Sequence, residues 1–65
     1  METLAEKITD ARRRHGLSQT AFADLVRAAL PGAKCSQISV CRWEHGHGPN
    51  GVYIRAIQAV ISNLG

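Results

Sequence analysis

The sequence predicts an all-α domain of four short helices, on the strength of two observations. Apolar residues recur three and four positions apart, which is the period of an α-helix, and no segment shows the alternation of a half-buried strand. Glycine and proline interrupt this pattern at Gly16, at Pro31-Gly32 and between Gly46 and Gly51, so that four segments remain. A chain of 65 residues is long enough for one domain with one small core.

The first two segments are predicted to be amphipathic helices. The first extends from about Thr3 to His15, and Glu6 stands at the capping-box position relative to Thr3. The second begins at Ser18, a good N-cap, and stops before Pro31 because proline cannot continue the hydrogen-bond ladder. The residues predicted to face the core are Leu4, Ile8 and Ala11 in the first helix and Phe22, Leu25, Val26 and Ala29 in the second.

The third segment is predicted to be a helix with two distinct sides. It extends from Ser36, the expected N-cap, to about His45. At 100° per residue, Val40 and Trp43 fall on one side, which predicts that both are buried. The residues on the opposite side, which are predicted to face outward, are Gln37, Ile38, Cys41, Arg42 and His45.

The fourth segment is predicted to be a helix from about Gly51 to Leu64, with Asn50 as its cap. Its apolar residues again follow the helical period. Those of the predicted buried stripe are Ile54, Ile57, Ile61 and Leu64, with Tyr53 and Val60 at the margin of the stripe.

Charge is distributed unevenly along the chain, whose net charge is +3 and whose isoelectric point is about 9.4. Residues 1–10 have a net charge of −2 and the remaining residues a net charge of +5, and a basic body of this kind suits a polyanion such as nucleic acid. No apolar run approaches the roughly 20 residues of a membrane span, and no secretion signal is visible, so the expected compartment is the cytoplasm. The two cysteines, Cys35 and Cys41, are accordingly expected to be reduced thiols.

Two linked motifs lie in the second and third segments. The stretch His15–Leu25 reads H-G-L-S-Q-T-A-F-A-D-L, and the stretch Ser36–Gly46 reads S-Q-I-S-V-C-R-W-E-H-G. In this order they resemble the motifs K-G-L-S-Q-x-x-L-A-x-x-L and S-x-x-T-I-S-R-W-E-x-G of the Cro/repressor-type helix-turn-helix family. Pro49 and Ile54 also fit the family pattern beyond the second motif, and the resemblance covers roughly residues 4–64. Two motifs in the right order are more specific than either alone.

The resemblance implies a compact four-helix fold of the lambda-repressor type. It also implies a sequence-specific, double-stranded DNA-binding transcription regulator of the phage or plasmid repressor kind, without cofactor or catalytic residue. The helix at residues 36–45 would lie in the major groove, where its expected base-reading residues are Gln37, Ile38, Cys41 and Arg42. Arg42 is the first candidate, since arginine commonly reads guanine, whereas Gln37 could pair with adenine or hold a phosphate.

The resemblance further implies residues that hold the DNA backbone or the protein itself. Gln19 would bind a phosphate from the start of the second helix, and backbone N–H groups at the start of the fourth would face another phosphate. An ion pair between Arg12 and Glu44 would tie the third helix to the first. The full set of expected phosphate contacts is Gln19, Arg27, Lys34, His45 and Asn50.

The chain departs from the family pattern between the second and third helices. The family has a tight connection of three or four residues there, whereas Arg27 to Cys35 stands between the two matched segments here. This predicts an extended connection, which places Arg27 and Lys34 near the expected DNA surface.

A second departure concerns the C-terminal helix. Many relatives have a fifth helix that covers the fourth, whereas this chain ends at Gly65. The residues expected to be left partly uncovered, and to be covered by a second copy in a homodimer, are Tyr53, Val60 and Leu64. Such a dimer would read a near-palindromic operator.

Other functions find less support in the sequence. A protein-interaction module, such as an antitoxin or an adaptor, is the main alternative. Single-stranded RNA binding favours exposed aromatic platforms, and the chain has only three aromatic residues. A zinc site built from Cys35, Cys41, His45 and His47 would have a spacing unlike the usual zinc patterns. Few, scattered carboxylates and the lack of a phosphate-cradling glycine motif argue against an enzyme.

Overall fold

Four helices make up most of residues 3–64, which are the residues that the computed structural model describes. The helices are α1 (Leu4–Arg14), α2 (Gln19–Ala29), α3 (Gln37–Glu44) and α4 (Gly51–Leu64). No β-strand occurs among these residues, so the predicted all-α class with four helices is confirmed over this range. None of the four helices combines the length and the apolar character needed to cross a bilayer.

Serine and threonine side chains define where the first three helices begin. The hydroxyls of Thr3 and Ser18 accept hydrogen bonds of 3.2 and 3.0 Å from the backbone N–H three residues later. At the start of α3, the N–H of Ser36 donates to the hydroxyl of Ser39 at 3.4 Å. Each of these bonds satisfies a polar group that a helix or its flanking residue otherwise leaves without a partner.

The core lies at the centre of the four helices, with α2 packed on α3 and α4, and α1 packed on the same two helices. Its largest fully buried side chains come from all four elements and are Ile8, Phe22, Val26, Val40 and Ile57. Every one of these residues was predicted from helical spacing to face inward, and those predictions are confirmed. The resulting body is compact and measures 29 × 21 × 19 Å.

The buried face of α2 differs from the predicted one at two alanines. Ala29 was predicted to be buried but is exposed, whereas Ala23 is 1 % exposed. The thiol of the buried Cys35 lies 3.5 Å from the carbonyl oxygen of Ala23, so the connection packs against α2 beside this residue.

The buried face of α4 also differs from the predicted stripe. Val60 was expected to be partly uncovered but is 5 % exposed, and Ala56 is buried beside it. Both side chains are short, which lets α4 pack closely on α2. The predicted stripe residues that are only half-buried are Ile54, Ile61 and Leu64, and Tyr53 is half-buried as well.

Residues 30–36 connect α2 to α3 without helical structure, in agreement with the extended connection predicted from the sequence. Pro31 ends the helix ladder, and Gly32 comes next with a φ of +86°, a left-handed conformation that glycine adopts without strain. The chain then turns inward, so that Cys35 is 3 % exposed within the core. Both cysteines are free thiols.

Candidate nucleic-acid interface

Helix α3 has one buried and one exposed side, as its sequence predicts. Val40 and Trp43 are 0 % and 7 % exposed and belong to the core. On the other side Gln37 and Arg42 are exposed, and so is the apolar side chain of Ile38, at 62 %. The remaining outward residues are Cys41, which is half-buried, and His45, which is exposed. The outward side therefore combines hydrogen-bonding, cationic and apolar groups on a helix whose other side is packed in the core.

Arg12 and Glu44 fix the C-terminal end of α3 to α1. The Arg12 Nε lies 2.9 Å from the Glu44 Oε2, and the Arg12 Nη2 donates to the Glu44 Oε1 at 3.2 Å. The third guanidinium nitrogen donates to the carbonyl oxygen of Leu17 at 3.1 Å. The two side chains are only 20 % and 9 % exposed. This forked geometry holds α1, the turn before α2 and the end of α3 in one arrangement.

Gln19 and Gln37, for which the sequence predicted separate roles, lie in contact. The side-chain amide of Gln37 donates from its Nε2 to the Oε1 of Gln19 over 2.6 Å. The contact joins the N-terminal turns of α2 and α3 and leaves Gln37 with one N–H and one acceptor oxygen free. The two residues are 18 positions apart, and neither motif signals that their amides meet.

The residues predicted to contact phosphate are not equivalent in the structure. The side chain of Lys34 is exposed in the connection, and Asn50 is exposed immediately before α4. Arg27, by contrast, pairs with Asp24 and donates from its Nη1 to the carbonyl oxygen of Cys35 at 3.2 Å. Its guanidinium is thus engaged within the protein, a role that the sequence did not reveal.

His45 is restricted in the hydrogen bonds that it can offer to a phosphate. Its Nδ1 lies 2.7 Å from the carbonyl oxygen of Cys41. A carbonyl oxygen only accepts, so Nδ1 is the donor in this contact and is not free to bind a phosphate.

Three carboxylates are paired with arginines other than Arg42. Asp10 pairs with Arg14 at 3.1 Å, Asp24 pairs with Arg27, and Glu44 pairs with Arg12. Within residues 3–64, no carboxylate forms an ion pair with Arg42. The positive charge of Arg42 is therefore available to an external acceptor.

The two thiols differ in their surroundings. Burial raises the pKa of the Cys35 thiol, although the nearby charge of Arg27 opposes this shift. The Cys41 thiol lies on the outward side of α3, 3.7 Å from the His45 Nδ1. Over the described part of the chain, no three side chains of His, Cys, Asp or Glu gather as metal ligands.

Comparison with known protein families, with curated proteins and with solved structures finds no match for this chain.

Proposed function

We propose that this protein is a sequence-specific double-stranded DNA-binding regulator of transcription that inserts α3 into the major groove. The observation that supports this most is the division of α3 into a buried side, Val40 and Trp43, and an outward side free of carboxylates. The major groove, about 12 Å wide, admits one helix of this kind and offers a different pattern of donors and acceptors for each base pair. The resemblance to Cro/repressor-type proteins supports the same proposal.

The outward residues of α3 have the chemistry for reading base edges. Arg42 can donate two parallel hydrogen bonds to the O6 and N7 of guanine. The N–H and the oxygen that remain free on Gln37 match the N7 and N6 of adenine. Ile38 and Cys41 are suited to contact with a thymine methyl group. Occupation of a promoter by such a complex would repress transcription.

The backbone contacts are proposed to come from residues that flank α3. Gln19, with its amide placed beside Gln37, would bind a phosphate at the start of α2. Lys34 and Asn50 are exposed and would bind phosphates on either side of the groove. Contacts of this kind set the register of a protein on the duplex and do not select its sequence.

We further propose that two copies bind a near-palindromic operator, with half-sites about 34–36 Å apart. A groove of about 540 Å³ between α2 and α4, lined by small and apolar residues together with Arg55, supports this proposal. It is lined in part by Ala29, Ala59 and Val52, the last of which is 60 % exposed. The half-buried Tyr53 and Leu64 would complete the contact, whereas Val60 already belongs to the core.

Sedimentation of the free protein at micromolar concentration tests this homodimer. We expect a mass of twice 7.0 kDa for the parent chain. We expect the monomer mass for Ala59→Arg, because this exposed position accepts a charge in the monomer, whereas in the contact it would add a second cation beside Arg55. A parent chain that sediments as a monomer would count against the dimer.

Alkylation of Cys41 tests whether α3 faces the duplex. The thiol is half-buried on the outward side, whereas Cys35 is buried, so a thiol reagent should modify Cys41 first. With a duplex enriched from a random pool and supplied at about ten times its Kd, modification of Cys41 should slow about tenfold, because little free protein remains.

A matched control places the cysteine on a different surface. Lys7 is exposed on α1, and Lys7→Cys in a Cys41→Ser background should be modified at the same rate with and without the duplex. Equal modification rates of Cys41 in the free and the bound protein would contradict the proposed use of α3.

A further inference from the structure

The connection between α2 and α3, residues 30–36, is held to the rest of the protein by side chains from two helices. Within it, Cys35 is the residue that enters the core, at 3 % exposure. Its thiol donates to the carbonyl oxygen of Ala23 over 3.5 Å, and Leu30 and Ala33 pack against the core. A loop anchored in this way has one defined path, and the path determines where α3 begins.

Arg27, in the last turns of α2, holds the connection through its backbone. The Arg27 Nη1 donates to the carbonyl oxygen of Cys35 at 3.2 Å, and Asp24 on the same helix orients the guanidinium. This bond spans eight residues and closes the loop across Pro31. The carbonyl group that accepts this bond belongs to the residue directly before Ser36, the N-cap of α3.

Tyr53, in the first turns of α4, contacts both the connection and α3. Its hydroxyl accepts a hydrogen bond of 3.1 Å from the backbone N–H of Lys34. Its ring packs on Trp43, with the ring centroids 5.6 Å apart and the planes inclined at 45°. One side chain therefore fixes the segment that leads into α3 and also the inner side of α3 near its end.

We propose that Arg27 and Tyr53 are positioning residues, which hold residues 30–36 in place and thereby set the orientation of α3 toward the duplex. The part of this inference that concerns DNA rests on the proposed function. Arg27 then acts through the carbonyl oxygen of Cys35 and not as the phosphate contact that the sequence predicted. Tyr53 acts through its hydroxyl within one protomer, apart from any contact with a second copy.

The consequence for binding arises from the geometry of base reading. A hydrogen bond to a base edge weakens steeply when its distance or angle departs from the optimum. Loss of either hydrogen bond lets the start of α3 shift, so that Gln37 and Arg42 no longer contact their base edges at the same time. The affinity for the correct sequence falls, while the attraction of the protein to phosphates is retained.

The thiol of Cys35 reports on the connection without any DNA. In a Cys41→Ser background, the rate at which a thiol reagent modifies the native protein measures how often residues 30–36 open. We expect Tyr53→Phe and Arg27→Gln each to raise this rate about threefold or more, since each removes one hydrogen bond from the closed state. Tyr53→Phe keeps the ring on Trp43, so that the hydroxyl alone is tested.

Two controls separate local opening from general effects. Arg14→Gln breaks a helical ion pair, with Asp10, that has no contact with the connection, and should leave the rate unchanged. Ile8→Val weakens the core at a fully buried residue of α1, outside the connection itself. Relative to the unfolding free energy that it loses, Ile8→Val should raise the modification rate of Cys35 less than Tyr53→Phe does.

The same substitutions, made in the parent chain with Cys41 intact, are then titrated with the selected duplex at low temperature, where all are folded. We expect Tyr53→Phe and Arg27→Gln to lose about threefold or more in affinity, with the dependence of log K on log salt unchanged. Modification rates that rise less than about threefold overturn the inference, as does an affinity that stays at the parent value. For Arg27, a salt slope reduced by about one unit overturns it in favour of a phosphate contact.

Failure of the proposed function and failure of this inference give different results. If the parent chain selects no duplex, the proposed function fails, and the modification rates of Cys35 still decide whether Arg27 and Tyr53 hold the connection.

Discussion

We expect Glu44→Ala to lower the free energy of unfolding by about 3 kcal/mol. The substitution leaves the guanidinium of Arg12, which is 20 % exposed, without its carboxylate partner. Breaking a partly buried pair in this way costs more than breaking an exposed one, because the remaining charge is poorly solvated. A domain of this size has a total stability of about 3 to 10 kcal/mol, so the variant should be close to unfolding.

Urea denaturation of matched variants measures this effect. Asp10→Ala removes the carboxylate from the exposed pair with Arg14, whose side chains are 49 % and 74 % exposed, and should cost less than about 1 kcal/mol. Replacing both partners, as in Arg12→Met with Glu44→Leu, should recover much of the loss, since no isolated charge remains. Equal stability losses for Glu44→Ala and Asp10→Ala would show that the partly buried pair does not hold α3.

We expect Arg42→Ala to weaken binding to the selected duplex by about 1–3 kcal/mol, which is a factor of about 5 to 150 in affinity. The variant should also lose its preference at one base pair in each half-site, because a bidentate contact to guanine is removed. Its stability should match that of the parent, since Arg42 is exposed and forms no ion pair within residues 3–64.

Arg13→Ala is the matched control for Arg42→Ala. It removes the same charge from an exposed position on α1, where the neighbouring groups include the carboxylates of Glu6, Asp10 and Glu44. We expect it to change affinity slightly and to leave the preference at every position intact. A uniform loss across all sequences for Arg42→Ala would identify Arg42 as a phosphate contact and contradict the proposed base reading.

Most of the fold could be predicted because local patterns specify it. Helical spacing identified the buried residues Ile8, Phe22, Val40 and Ile57, and hydroxyl residues marked where three helices begin. The errors at Ala29 and Val60 arose where packing between helices decides burial. A helical wheel gives the face of each helix but not the direction from which its neighbours approach.

The candidate site could be predicted less completely. The sides of α3 follow from its period, so the outward positions of Gln37 and Arg42 were correctly identified. The hydrogen bonds from Arg27 to Cys35 and from Lys34 to Tyr53 join different elements through an irregular connection. No periodic pattern encodes such contacts, and only the path of the loop reveals them.

The central claim is that this protein reads double-stranded DNA through α3. Its most direct test is selection from a randomised duplex pool by the parent chain. We predict the enrichment of one defined, near-symmetric site, with half-sites about one helical turn apart. A pool without enrichment, together with weak binding that depends steeply on salt, would mean that only attraction to phosphates remains. That result would contradict the account and would indicate that the outward side of α3 meets another protein.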